Sequence, residues 1–157
     1  MIFTRLATEE DIPRIIEIEN EAISPPWTHG SLLNEIYNDD SFFVIAVEAA
    51  EKAEEETARP DILGFAILRQ VGDDAELLQI AVDRLVRRGG VGNILMEAVL
   101  DCAAEKGYLK VFLEVRCTNK AAVFLYKKHG FKSVRVRKGY YTDPIEDAYI
   151  MAREINV

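Results

Sequence analysis

Apolar and polar residues alternate over residues 2–6 (IFTRL), the period of a short strand. From Thr8 the period changes to that of a helix. TEEDIPRIIEIENEAI places Ile12, Ile15, Ile16 and Ile23 on one face, and Thr8 or Asp11 can cap its start. Early acids suit the positive end of a helix, and Pro13 is tolerated only in the first turn. Pro25-Pro26-Trp27 breaks this helix, and a second runs over 31–38 with Leu32, Leu33 and Ile36 inward. Residues 41–49, 62–71 and 76–82 read as three strands, rich in β-branched and aromatic side chains, with a turn at Gly72-Asp73-Asp74. The third, ELLQIAV, is apolar enough to be covered on both faces. A helix follows over 94–106 with Gly107 as its stop, then a strand over 109–116. Asn119 opens and Gly130 closes a last helix, and two strands, 131–141 and 148–155, finish the chain.

The order is β-α-α-β-β-β-α-β-α-β-β. There is no internal repeat and no linker, so residues 1–157 are expected to form one α/β domain, a mixed sheet flanked by helices. The polar stretch 50–60, AEKAEEETARP, reads as an exposed loop or hairpin end.

Composition narrows the function. The net charge is −8, which argues against a nucleic-acid partner. Cys102 and Cys117 form no CxxC pair, and His29 and His129 make no metal site, so no metal is expected. No apolar run approaches the roughly 18 residues of a membrane span, and the N-terminus lacks a signal-peptide layout. No membrane partner and a reduced, cytoplasmic setting are the expectations. The total hides a split: residues 1–75 carry a net −12 and residues 76–157 a net +4. Halves of opposite sign can meet different partners, or can simply be solvated faces.

The basic half contains the segment with the most chemistry. After the strand 76–82 comes DRLVRRGGVGN, opening a helix. Gly89, Gly90 and Gly92 allow close approach of the backbone to a ligand. The N–H groups of Arg88 to Asn93 can form an anion nest at a helix N-terminus, and Arg87 and Arg88 add full charge. A phosphate or pyrophosphate is the natural occupant. GxxxxGK[ST] is absent, and so is GxGxxG after the first strand, which sets aside an ATP loop and a dinucleotide fingerprint.

The remaining pattern, RRGGVG at 87–92, resembles the acyl-CoA pyrophosphate loop of the GNAT acetyltransferases. LEVRCTNKAAVFLYKKHGF (113–131), RKGYY, DAYIMA and the early PPW are similar to the RimI-type ribosomal-protein-alanine N-acetyltransferases, across roughly residues 4–152. That resemblance implies the GNAT acyl-CoA N-acyltransferase fold, with a central, mostly antiparallel sheet. It implies acetyl-CoA as cosubstrate and a protein or peptide N-terminus as acceptor, a basic ribosomal protein among the candidates. It also implies Glu114 as general base and Tyr126 as the acid that protonates the departing thiolate. Ile80, Ala81 and Val82 would contact the pantetheine and acetyl group. Arg87, Arg88, Gly89, Gly90, Val91, Gly92, Asn93 and Asn119 would hold the cofactor, and Tyr140 and Tyr141 would touch the acceptor. Arg84 and Leu85 depart from the family, which commonly has Pro and an aromatic residue there.

The chemistry is compatible with these residue types. An α-amine of pKa roughly 7.7–8.0 needs only a carboxylate to free its lone pair near neutrality. A backbone N–H from an unpaired stretch of strand can stabilise the oxyanion, and no covalent nucleophile is required. Each residue also has a plainer reading. Glu114 could pair with Arg116 or a neighbouring Lys, Tyr126 could be a packed core residue, and Asn119 could be only a helix cap. Cys117 reads as a small hydrophobe, His129 as a cation at a helix C-terminus, and Trp27 as a loop anchor. A small amine, a polyamine or a lysine side chain as acceptor, or an acyl-CoA-binding module without turnover, remain the alternatives.

Overall fold

The computed structural model describes residues 1–23, 25–49, 61–87 and 89–155. The segment 50–60 and Arg88 lie outside them. Seven strands form one sheet: β1 (Ile2–Leu6), β2 (Ser41–Glu48), β3 (Asp61–Val71), β4 (Asp74–Val82), β5 (Lys110–Arg116), β6 (Lys132–Thr142) and β7 (Ile145–Glu154). Their spatial order is β1-β2-β3-β4-β5-β7-β6. Every pairing is antiparallel except β4 with β5. The mixed, mostly antiparallel sheet is as expected. Among the described residues, no helix is long and apolar enough to cross a membrane.

Helices α1 (Ile12–Ala22) and α2 (His29–Tyr37) cover one face, and α3 (Val91–Lys106) covers the other, with α4 (Lys120–Lys128) on the same side as α3. Two cores result. Ile12, Ile15, Ile18 and Leu32 pack with Phe43, Ile45, Phe65 and Ile67 under α1 and α2. Val91, Leu95, Met96 and Val99 pack with Val44, Leu68, Leu77, Leu113 and Met151 under α3. Strand β4 feeds both cores, which is why its sequence lacks a clean apolar-polar alternation. A bulge helps it do so. Ile67 pairs with Gln79 but Leu68 with Leu77, so Leu78 is an extra residue that re-aims the strand beyond it. Gly64 makes room there, since a Cβ would stand 2.7 Å from the Ala81 carbonyl oxygen.

Element bounds shift where caps decide. Residues 9–11 form a 3-10 turn before α1, with Pro13 inside the first helical turn. Thr28 caps α2 by accepting the Ser31 N–H at 3.1 Å, so this helix starts ahead of the expected Ser31.

Asp11 holds β1 to the start of α1. Arg5 donates from both terminal nitrogens, Nη1 to Oδ2 at 2.8 Å and Nη2 to Oδ1 at 2.9 Å, and the Thr8 N–H adds a bond of 2.8 Å. Burial pushes the Asp11 carboxyl up, but the Arg5 and Thr8 bonds outweigh it and hold the pKa below the ordinary 3.8. A depressed carboxyl favours the fold above its unfolded pKa, and this contribution is lost as pH falls through the lower folded value. Asp11→Asn should therefore be less stable than wild type at pH 7. The gap should close below about pH 3.8. Urea melts at pH 7, 5 and 3 check this, and a pH-independent gap would count against it.

Candidate active site

The parallel pairing of β4 with β5 lasts only two rungs, Ala75 with Val111 and Glu76 with Phe112. Beyond Glu76 the strands part, and a cavity of about 1180 Å³ occupies the gap. The Asp83 N–H donates to the Leu63 carbonyl of β3 at 2.8 Å. Because N–H directions alternate along a strand, those of Ile80 and Val82 then face the gap rather than β3. They are the free strand donors that an oxyanion needs.

The open end of the gap leads to the glycine loop. Gly90 has φ +85° and ends the loop in the left-handed region. Helix α3 begins at Val91, ahead of the expected Ile94, and its first intrahelical bond runs from the Ile94 N–H to the Gly90 carbonyl at 3.1 Å. The N–H groups of Val91, Gly92 and Asn93 come before that bond and lie at the positive end of the helix. The Gly89 N–H is already used, donating to the Val86 carbonyl at 3.2 Å. Of the nest expected over Arg88 to Asn93, the Gly89 N–H is therefore engaged elsewhere, and Arg88 lies outside the described residues. Arg87 lines the cavity and donates from Nε to the Val82 carbonyl at 3.3 Å. Gly92 packs under α4, where a Cβ would press on Leu125 Cδ2 at 3.3 Å. These features fit a pyrophosphate. Gly90→Ala should cost about 1 kcal/mol for the left-handed backbone and weaken acetyl-CoA binding. Thermal melts and a titration test this, and unchanged affinity would remove the loop from the cofactor site.

Asn119 and His129 each have structural duties. Asn119 accepts the Ala122 N–H at 3.2 Å as the cap of α4, and it also lines the cavity. His129 Nε2 stands 2.8 Å from Asn93 Oδ1, so that nitrogen carries the proton and ties α4 to α3. Burial pushes its pKa down, which works against the helix-end cation that its position suggests. The Asn93 side chain is thus engaged, leaving its backbone N–H to the loop.

Glu114 and Tyr126 reach the cavity from opposite faces of the sheet. Val111, Leu113 and Val115 point into the core under α3, so Glu114 emerges on the α1 and α2 face. It pairs with Arg137 of β6, Nη1 to Oε1 at 3.5 Å. Arg116 braces the β6–β7 turn, with Nη1 3.3 Å from Glu146 Oε2 and 3.2 Å from the Pro144 carbonyl. Tyr126 comes from α4 on the other face and is 7% exposed, its ring 5.9 Å from that of Phe131. Burial pushes its phenol far above the ordinary 10.

Tyr140 and Tyr141 meet edge to face at 5.0 Å beside Glu114. A hydrogen bond to Glu114, then burial, push Tyr140 up to about 12. Burial, then the Glu114 charge, push Tyr141 up to about 12. Arg137 lies 4.7 Å from the Tyr140 ring centre and Arg116 lies 4.1 Å from that of Tyr141. Both tyrosines stay protonated, so they present donors and aromatic surface rather than charge.

Several lining residues escaped the sequence reading. Glu76 stands at the vertex where β4 and β5 separate, and burial and then Glu114 push its carboxyl up. Gln79 lines the same cavity, and Arg137 pairs with Glu114 from outside its lining. Trp27 is both a loop anchor and a lining residue. Among the described residues, no group of His, Cys, Asp and Glu could hold a metal ion.

Residues 12–131 match the acetyltransferase (GNAT) family. The chain belongs to this family. The GNAT chain is 34% identical over 149 residues to the [ribosomal protein bS18]-alanine N-acetyltransferase of Escherichia coli K12, covering 94% of this chain and 93% of the relative. It is 36% identical over 145 residues to the enzyme of the same name from Haemophilus influenzae, covering 90% and 91%. Among solved structures, the ribosomal-protein-S18-alanine N-acetyltransferase of Escherichia coli superposes with a TM-score of 0.85 at 31% identity, over 100% of this chain and 96% of the other. Ard1 from Thermoplasma volcanium gives 0.84 at 28% identity, over 99% of both chains. The GNAT fold expected from RRGGVG and its flanks is the fold observed.

Proposed function

We propose that this GNAT enzyme transfers acetyl from acetyl-CoA to the N-terminal α-amine of a protein, by direct attack in a ternary complex. One observation carries the mechanism. The gap between β4 and β5 joins two faces, with Glu114 reaching it from the α1 and α2 face and Tyr126 from the α3 and α4 face; the first is read as the acceptor side and the second as the cofactor side. The pyrophosphate lies on the N–H groups of Val91, Gly92 and Asn93 with Arg87. The acetyl carbonyl lies along Ile80 to Val82. The amine enters between the Pro25–Trp27 loop and Tyr140 and Tyr141.

Glu114, directly or through one water, takes the proton that the amine sheds. The amine nitrogen bonds the carbonyl carbon, and a gap-facing strand N–H stabilises the oxyanion. Collapse breaks the C–S bond, and Tyr126 supplies a proton to the sulfur. A high phenol pKa does not disqualify it, since the burial that raises the phenol also penalises a thiolate beside it. The proton that Glu114 takes from the amine returns through solvent to Tyr126, so a neutral amine gives amide plus free thiol, and an acceptor that arrives as the ammonium releases one further proton to solvent.

The acceptor class rests on the relatives, which are named as [ribosomal protein bS18]-alanine N-acetyltransferases. Glu21, Glu76 and Glu114 give the acceptor side an acidic lining suited to an ammonium and a basic protein. The enzyme's setting is proposed to be cytoplasmic, where Cys102 and Cys117 remain free thiols. Thiol release from acetyl-CoA with an alanine-first peptide tests this, against the same peptide blocked at its N-terminus. Equal release from both would refute it.

A further inference from the structure

Helix α1 carries a residue that its own periodicity does not call for. Ile12, Ile15 and Ile18 face the core, and Glu19 shares that burial at 0% exposure. A carboxylate there is costly to bury unless polar partners meet it. Among the described residues it makes no ion pair. Its Oε2 accepts an amide N–H of Gln79 at 2.7 Å, in the amide orientation that satisfies both neighbours of Gln79. In that orientation the Gln79 oxygen accepts the indole N–H of Trp27 at 2.6 Å. Glu19 Oε1 has no hydrogen-bond partner among the described residues. Burial pushes the Glu19 carboxyl up, opposed by the Trp27 backbone and Gln79.

The three residues belong to three parts of the acceptor side. Glu19 is on α1, Gln79 sits directly after the extra residue of the β4 bulge, and Trp27 ends the Pro25–Trp27 loop. Gln79 and Trp27 line the cavity, whereas Glu19 does not. Without Glu19, Gln79 loses the acceptor that orients its amide, and Trp27 loses the oriented oxygen that anchors it.

We propose that Glu19 is a positioning residue for the acceptor slot, fixing the Pro25–Trp27 loop against β4 through Gln79 and Trp27. The proposal rests on the acceptor reading above. Glu19 touches neither substrate, so its influence should appear in the acceptor KM. A general collapse around β4 would look different. Gln79 leads directly into Ile80, so disorder there would also damage acetyl-CoA binding.

Trp27 is the sole tryptophan, so its emission reports on this chain of bonds with or without turnover. In Glu19→Leu, acetyl-CoA affinity and kcat should stay within about threefold of wild type while acceptor KM rises about tenfold. Trp27 emission should move to longer wavelength and become more accessible to acrylamide. Glu19→Gln keeps an oxygen acceptor and should restore both KM and emission. Trp27→Phe removes the indole N–H at the far end of the chain while keeping an aromatic ring against the core under α1 and α2, and should raise acceptor KM similarly. Glu19→Leu and Trp27→Phe together should add little beyond either alone.

Unchanged KM in Trp27→Phe overturns the proposal, even if Glu19→Leu does not fold. So does a Glu19→Gln variant as impaired as Glu19→Leu, or a Glu19→Leu that loses acetyl-CoA affinity as much as acceptor affinity. If wild type acetylates no peptide, the acceptor reading fails. The emission of Glu19→Leu and its recovery in Glu19→Gln then decide on their own whether Glu19 anchors the loop.

Discussion

Glu114→Gln should lower kcat about 10³-fold, within the range for losing a general base, while acetyl-CoA binds as before. The isosteric amide keeps the volume and can still accept a hydrogen bond, but it cannot take the amine's proton. Glu114 has a structural role as well, through Arg137 at 3.5 Å, and the two roles predict different losses. Loss of the ion pair alone would loosen β6, which forms the edge of the sheet, and lower the melting temperature with a proportionate effect on rate. Exposed ion pairs contribute about 0–1 kcal/mol, so that effect is small. Arg137→Gln separates the roles. It breaks the pair and leaves the carboxylate, so it should cost far less turnover than Glu114→Gln. Steady-state kinetics and melts on both variants check this, and equal losses would reduce Glu114 to an ion-pair partner.

Tyr126→Phe should lower kcat about 10²-fold, as for loss of a general acid. The ring stays, with its contact to Phe131 at 5.9 Å, and only the hydroxyl goes. A packed core tyrosine would show a change in stability and little else. A proton donor to sulfur would show a loss that depends on the leaving group. With an acetyl thioester of a more acidic thiol the defect should shrink, because that sulfur departs more readily without a proton. A defect independent of the thiol would place Tyr126 in packing alone.

The element order was legible in the chain because the apolar period switches cleanly between strands and helices. IFTRL, ILGFAILRQV and LKVFLEVR became strands, and TEEDIPRIIEIENEAI became the turn and helix that its capping residues suggest. The start of α3 was misplaced because Gly90, in the left-handed region, ends the loop and makes Val91 to Asn93 the first helical turn. The parting of β4 from β5 after two rungs was not legible, since it is a property of how strands pair and not of either strand. Glu114 and Tyr126 were identified by resemblance. Their approach from opposite faces required the sheet. Glu19, Glu76 and Gln79 were missed, though each left a signal: Glu19 is a polar side chain one turn on from Ile15 on the apolar face of α1, and Glu76 and Gln79 interrupt the apolar run ELLQIAV. Such residues are the ones whose cost of burial demands a reason.

The central claim is that a protein's α-amine is the acceptor. Thiol release from acetyl-CoA should be measured against short peptides of varied N-terminal residue, the same peptides with blocked N-termini, free lysine and polyamines. Turnover is expected with free N-termini, alanine-first peptides among them, and not with their blocked forms. Preference for lysine or a polyamine over every free N-terminus would contradict the account.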